Sequence, residues 1–301
     1  MHTSAAVLAS PAPLYYERLL PDDARGDPLV LVHGGAHTGA CYRCTPDGRP
    51  GWAADFAAQG FEVLIPDWPG CGRSGYVPRD QLRGDLVVRG LRALVEQIAR
   101  PVTVLVHSMS GPYGFKLLET ARPFIQRLVA IAPGPPGNVQ PLPEIIAETD
   151  DAVEVQALAL QWRIPKAHDF LMDEQMVRVK LVGNGGRFPM DALDGYRASL
   201  VPLPARLLYE RQNVQGSQLR LADDADLRGS SVLLVTGTHD TDHPRELDER
   251  IARWLTEHDA GVDSVWLADR GVTGNGHMMM LEDNSAEIAG MIGGWIRTAG
   301  G

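Results

Sequence analysis

The sequence predicts an α/β fold, with a mostly parallel central sheet flanked by helices and a helical cap inserted over one sheet edge. Two observations carry that expectation. Short apolar runs of the kind buried on both faces of a parallel sheet alternate with amphipathic helical stretches. That beat stops at Pro133 and resumes at Ser231, and the stretch between holds no clean strand. A length of 301 residues suits one large domain with an inserted subdomain. The expected division is a core of residues 1–133 and 228–301, interrupted by a cap at 134–227.

The elements follow in order. Met1 to Pro11 has no basic start and too short an apolar core for a signal peptide, and reads as a flexible tail. Residues 14–20 form an early strand, and Pro21 to Pro28 a hairpin-like turn. Leu29-Val-Leu-Val-His33 is a buried strand that ends in His33-Gly34-Gly35-Ala36. Gly51 to Gly60 is a helix with a glycine stop, and Phe61 to Ile65 the next strand. Asp67 to Gly75 is a glycine-rich loop without the Gly-Lys-Ser/Thr of a phosphate loop. It reads as a turn that shapes a site wall. A helix over Asp80–Arg100 precedes the strand at Val102, its helix, and a strand over Arg127–Ala132.

In the cap, Asp150–Trp162 and Asp169–Leu181 show helical spacing. The apolar and aromatic residues there (Trp162, Phe170, Met172, Met176) read first as the cap's own core. The beat resumes with a strand at Ser231–Thr236 and a helix over Arg245–His258. A last strand covers Val262–Leu267, and a closing helix runs from Asp283 to Arg297.

Composition narrows the function. A net charge of −10 argues against nucleic acid, which needs a basic face. No apolar run approaches the roughly 20 residues that cross a bilayer. Three cysteines are not a disulfide framework. Cys41-Tyr-Arg-Cys44 has C-x-x-C spacing but no second pair or spaced histidines to complete a zinc site. The expectation is a cytoplasmic protein with reduced thiols, no metal and no cofactor. Its partner is a small molecule, and a homodimer is the candidate assembly.

Chemistry concentrates at Val102-Thr-Val-Leu-Val-His-Ser-Met-Ser-Gly111. A strand that turns sharply into a helix through a serine is a nucleophile elbow, which usually reads Gly-x-Ser-x-Gly. Here Val106 and Ser110 stand at the glycine positions. Taken alone, the stretch equally fits a parallel strand followed by a helix with a serine N-cap.

A serine hydroxyl needs a base within hydrogen-bond reach, and that base needs an orienting carboxylate. Each candidate lies beyond a strand's C-terminal end, where open α/β sheets bind ligands. Ser108 follows the middle strand, Asp240 the strand at Ser231–Thr236, and His277 the last strand. The rival acids are Asp242, Glu144 and a residue at the end of the strand before the cap. Nine histidines compete for the base. His33 shapes the first loop, and His107 points away from the serine hydroxyl. His37, His168, His239, His243 and His258 read as solvated surface groups. An oxyanion hole needs two aimed N–H groups. Met109 supplies one, and Gly35, with Ala36 second, supplies the other. His33, Trp68 and Met278 are candidate substrate contacts.

His33-Gly34, Asp67-x-x-Gly70-x-Gly-x-Ser74, His107-Ser108-Met109-x-Gly111, Gly237-x-x-Asp240-x-x-x-Pro244 and Gly276-His277 together resemble the α/β-hydrolase superfamily. The chain order Ser…Asp…His is the order of its catalytic triads. More closely, Thr45-Pro-Asp-Gly-Arg49, Gly51-Trp52 and Gly271-Val-x-Gly-Asn-x-His-Met-Met-Met280 resemble a group of bacterial carboxylesterases. Their oxyanion loop reads His-Gly-Cys-Cys, and their catalytic acid is a glutamate after the strand that follows the elbow helix. This chain departs twice: Gly35-Ala36 replaces the cysteine pair, and Ala132 stands at the glutamate position. Asp240, at the superfamily's more usual site, is the natural replacement.

The resemblance implies the α/β-hydrolase fold and a cofactor-free serine esterase or lactonase acting on a small to medium apolar substrate. A C–C bond hydrolase, an acyltransferase or a secondary-metabolism tailoring enzyme could use the same residues. A non-catalytic ligand receptor on this fold is the reading from another class. Haloalkane dehalogenases and epoxide hydrolases need an aspartate at position 108 and are excluded.

Overall fold

The computed structural model describes residues 1–157 and 160–299. Its centre is an eight-stranded sheet in the order β1-β2-β4-β3-β5-β6-β10-β11. The six strands from β4 to β11 in that order run parallel, and β2 and β1 are added antiparallel at one edge. Strands β3 (Leu29–Val32), β4 (Val63–Pro66) and β5 (Val102–His107) are buried at every position. Their side chains alternate between two cores. Val30, Val32, Val104 and Val106 face one side with Leu128 of β6 (Ile125–Ile131) and Val232 of β10 (Ser231–Thr236). Leu29, Leu31, Leu105, Val129 and Leu233 face the other. Helices cover both faces, which is why these runs are apolar throughout rather than alternating with polar residues.

Helices α2 (Gly84–Ile98), α3 (Gly111–Thr120) and α7 (Arg245–Glu257) bury apolar stripes on the first face. Leu247, Ile251 and Leu255 of α7 recur every four residues, the spacing that puts them on one side of a helix. Helices α1 (Trp52–Ala58) and α8 (Ser285–Thr298) cover the second face. Every strand and helix expected in the core is present, with ends shifted by a few residues. The last strand, β11, spans Gly261–Trp266. Among the described residues, no helix is long and apolar enough to cross a membrane.

Three expectations need correction. The N-terminal segment is a strand, not a tail. β1 (His2–Leu8) pairs with β2 (Leu14–Leu20) from His2↔Leu20 to Leu8↔Leu14. Its side chains are almost all exposed, so backbone pairing holds it and no hydrophobic run announces it. The segment after β2 is not a hairpin turn. β2 pairs with β4, so the chain passes over the place of β4 to enter β3.

The third correction concerns the inserted segment, which is built on strands as well as helices. β7 (Glu144–Glu148), β8 (Ala152–Ala157) and β9 (Leu160–Pro165) form an antiparallel sheet. The helix expected over Asp150–Trp162 is therefore a pair of strands, with residues 158 and 159 outside those described. Val153, Val155, Trp162 and Ile164 are buried while Gln161 and Arg163 face outward. That period of two, with β-branched residues, selects strand over helix. The register sets Val155 against Trp162 and Glu154 against Arg163, which form an ion pair at 2.9 Å. The rest of the segment is short helix: α4 (Glu174–Met176), running into a π-turn at Val177–Val182, then α5 (Leu193–Ser199) and α6 (Ala205–Arg211).

Candidate active site

The parallel strands end at one edge, and the expected site assembles there. β5 ends at His107, and Ser108 opens a tight turn that leads into α3. Ser108 has φ +52°, the left-handed region that side chains other than glycine enter at a cost. Two neighbours explain why the turn is tight without the usual glycines. Ser110 is wholly buried and useful as it stands, because its Oγ donates to His33 O at 2.6 Å and accepts from Trp68 Nε1 at 3.1 Å. The close approach falls instead at Gly111, where a Cβ would lie 2.4 Å from Gly134 O.

His277 and Asp240 arrive from the loops after β11 and β10. His277 Nε2 lies 2.8 Å from Ser108 Oγ, and its Nδ1 lies 2.7 Å from Asp240 Oδ2. A carboxylate only accepts, so Nδ1 carries the proton and Nε2 faces the serine as an acceptor. His277 O receives the ring of His107 at 3.0 Å, which fixes the loop from behind. The structure thus brings together the three residues expected as nucleophile, base and acid. All three are buried.

Burial opposes the charge on Asp240, but His277 and His243 beside it outweigh that and hold its carboxyl well below the usual range. Burial also dominates at His277 and lowers its pKa below the ordinary 6.5, against an opposing pull from Asp240. A neutral imidazole beside a fixed carboxylate is the resting state a general base requires.

The rival acids stand elsewhere. Asp242 is paired with Lys180, Glu144 lies exposed on β7, and Ala132 closes the strand before the insertion. The first loop is pinned by its carbonyls. Gly34 O binds the ring of its neighbour His33 at 2.8 Å, and Gly35 O binds His37 Nδ1 at 2.7 Å. A carbonyl and the next N–H point opposite ways across one peptide plane. The Gly35 and Ala36 amides are therefore turned away from those rings. The loop lies against the elbow: a Cβ on Gly34 would sit 2.6 Å from His107 Nδ1 and 3.1 Å from Ser108 Cβ.

A cavity of about 20 Å³ opens beside Ser108 and His277, walled by Met109, Trp162, Leu203, Leu208 and Arg211. That is room for about one water molecule. His33, Trp68 and Met278 do not line it, which corrects their expected place as substrate contacts. His33 stacks on Trp68 at 4.6 Å behind the wall, and Met278 packs in the core with Met279 and Met280.

Two histidines expected at the surface are buried. His37 bonds Tyr196 Oη at 2.9 Å. His243 stacks on His277 with ring centres 5.2 Å apart, and its Nδ1 lies 3.3 Å from Asp240 Oδ2, close but not aligned for a hydrogen bond. Its signal in the sequence was its place three residues after Asp240 and just before Pro244. Sequence reasoning also missed Lys180, inside an apolar stretch, and Arg211 at the end of α6.

The wider comparisons agree with the fold. A model of the alpha/beta hydrolase family matches residues 29–291. A protein named as a probable secreted lipase, phiG, from Fungal sp. is 23% identical over an alignment of 342 residues, covering 94% of this chain and 85% of its own. A solved bacterial esterase aligns with TM-score 0.60 at 17% identity, over 100% of this chain and 94% of its own. A serine hydrolase involved in carbazole degradation aligns with TM-score 0.63 at 16% identity, over 98% and 99%. With the elbow, the sheet order and the matched length together, the chain belongs to the alpha/beta hydrolase family.

Proposed function

We propose that the protein is a serine hydrolase that cleaves a carboxylic ester or lactone of a small to medium, largely apolar molecule. The observation that carries the reading is the hydrogen-bonded chain Ser108–His277–Asp240, with links of 2.8 and 2.7 Å. His277 takes the proton from Ser108 Oγ as the serine attacks the carbonyl carbon. The N–H groups of Met109 and of Gly35, with Ala36 second, hold the oxyanion. His277 then protonates the leaving alcohol and later activates the water that releases the acid. Asp240 fixes the tautomer and stabilises the imidazolium.

The relatives named as an esterase, a lipase and a serine hydrolase support this class. The three thiols are free, which fits the cytoplasmic setting expected of the sequence, although the fungal relative is named as secreted. The test is turnover of p-nitrophenyl esters in labelled water. Hydrolysis puts solvent oxygen into the acid product, and acyl transfer does not. If Ser108→Ala keeps full turnover, the reading is wrong.

A further inference from the structure

Arg211, the last residue of α6, is 6% exposed and is among the residues that line the cavity onto which Ser108 and His277 open. Among the described residues it has no hydrogen-bond acceptor and no ion-pair partner, and Nη1 is a fully buried donor without one. A cation at a helix C-terminus can bond the last carbonyls, but none accepts from it here. Its own carbonyl is taken by Gln140 Nε2 at 2.8 Å. Asp242, the acid whose charge acts on it most strongly, is already paired with Lys180. Asp240, the other carboxylate whose charge acts on Arg211, is engaged by His277, so neither acid bonds the guanidinium.

The guanidinium also lies close to the elbow. A Cβ on Gly134 would be 2.8 Å from Arg211 Nε and 3.2 Å from Ser108 O, so both groups flank the same glycine. Arginine keeps its charge in any such site, and burying it without a counter-ion is costly. A ligand anion removes that cost. The planar fork of Arg211 matches a carboxylate, which it can hold through two parallel bonds.

We propose that Arg211 binds a carboxylate on the substrate, so that the ester or lactone cleaved at Ser108 also carries an acid group. The apolar wall of Met109, Leu203 and Leu208 then takes the body between the two ends. This proposal names the substrate class of the Ser108 hydrolase and rests on that reading.

The test compares two esters of similar length, mono-p-nitrophenyl glutarate and p-nitrophenyl pentanoate. Their kcat/KM ratio, acid over neutral, is measured for the wild type, Arg211→Gln and Arg211→Lys. The wild type is expected to favour the acid ester. Arg211→Gln should lower the ratio by a factor on the order of 30 to 100, the size of a charge-assisted bond, and Arg211→Lys should restore part of it. A purely structural role would depress both esters together and leave the ratio unchanged, which overturns the proposal. So does a wild type without preference, even if the variants fail to fold.

Calorimetry on Ser108→Ala with monobenzyl glutarate and benzyl pentanoate separates this inference from the hydrolase reading. Tighter binding of the acid, by about tenfold or more, supports the carboxylate site whatever the chemistry at Ser108. Equal binding refutes it while leaving the hydrolase in place. Turnover that survives Ser108→Ala refutes the hydrolase alone.

Discussion

Strand β5 in the core buries all six of its residues, whereas β7 in the inserted segment buries none of its five. Ser108, the proposed nucleophile, follows the first kind of element, and the pocket wall is shared between the core loops and the inserted segment. Ser108 and Asp240 follow strands buried in the middle of the sheet, and His277 follows the edge strand β11. The inserted segment is tied down near the site by a few polar seams. Lys180 pairs with Asp242, Thr241 Oγ1 donates to Val179 O at 2.8 Å, and Val201 N donates to Ala36 O at 2.9 Å. The difference teaches that chemistry and selectivity are separable here. Changes at the strand ends should abolish turnover, and changes in the insertion should alter access, preference or stability.

The sharpest break of that division is at the elbow. Ser108→Ala should cut kcat by about 10⁵-fold or more, measured on a chromogenic ester. Asp240→Asn should follow with a loss on the order of 10⁴-fold, because the amide no longer holds the proton on His277 Nδ1. If Asp242→Asn costs as much, the acid has been misplaced.

The seam offers a test in stability rather than rate. Lys180→Met leaves Asp242 buried without its partner, and denaturant unfolding should show a loss of about 3–5 kcal/mol. A loss below about 1 kcal/mol, the range of a surface pair, would mean that the seam is solvated and the insertion loosely held. A smaller effect is expected from Gly34→Ala, whose methyl presses on His107 and Ser108. We expect about 1–3 kcal/mol of destabilisation by thermal melting.

The gentlest test is pH. His277 works as a base only when neutral, and its pKa lies below 6.5. The acid limb of kcat/KM should therefore fall only after pH has dropped past that ordinary value. Glu282 complicates the profile. Burial pushes it up to about 7, and it accepts from Gly276 N at 2.7 Å beside the histidine. Glu282→Gln should remove any inflection near neutrality and leave the lower limb. An acid limb centred above 6.5 in that variant would contradict the buried, neutral histidine.

The core was legible because β3, β4, β5 and β10 are short runs apolar at almost every position, and α2 and α7 repeat their apolar residues every three or four positions. Ser108 and Asp240 were legible for the same reason, since each sits just beyond such a run, and His277 was placed by the loop after the last strand. The insertion was harder to read. In Asp150–Trp162 small and apolar residues fit helical spacing as well, and the period of two shows its meaning once β8 pairs with β9. β1 gave no hydrophobic signal because its partner is backbone. His243, despite its place near Asp240, and Arg211 were misread for a different reason. A lone histidine or arginine reads as a surface group until the fold closes over it, and burial is a property of the assembled sheet and insertion together.

The left-handed backbone at Ser108 gives the protein something to gain by losing its hydroxyl. A glycine there would relieve roughly 1 kcal/mol of conformational cost. Ser108→Gly should then unfold at a higher temperature than the wild type while turning over nothing. Selection for stability alone would remove this serine. Buried Ala36, Ala132 and Asn213 also hold a positive φ, but at Ser108 that backbone carries the hydroxyl proposed to react.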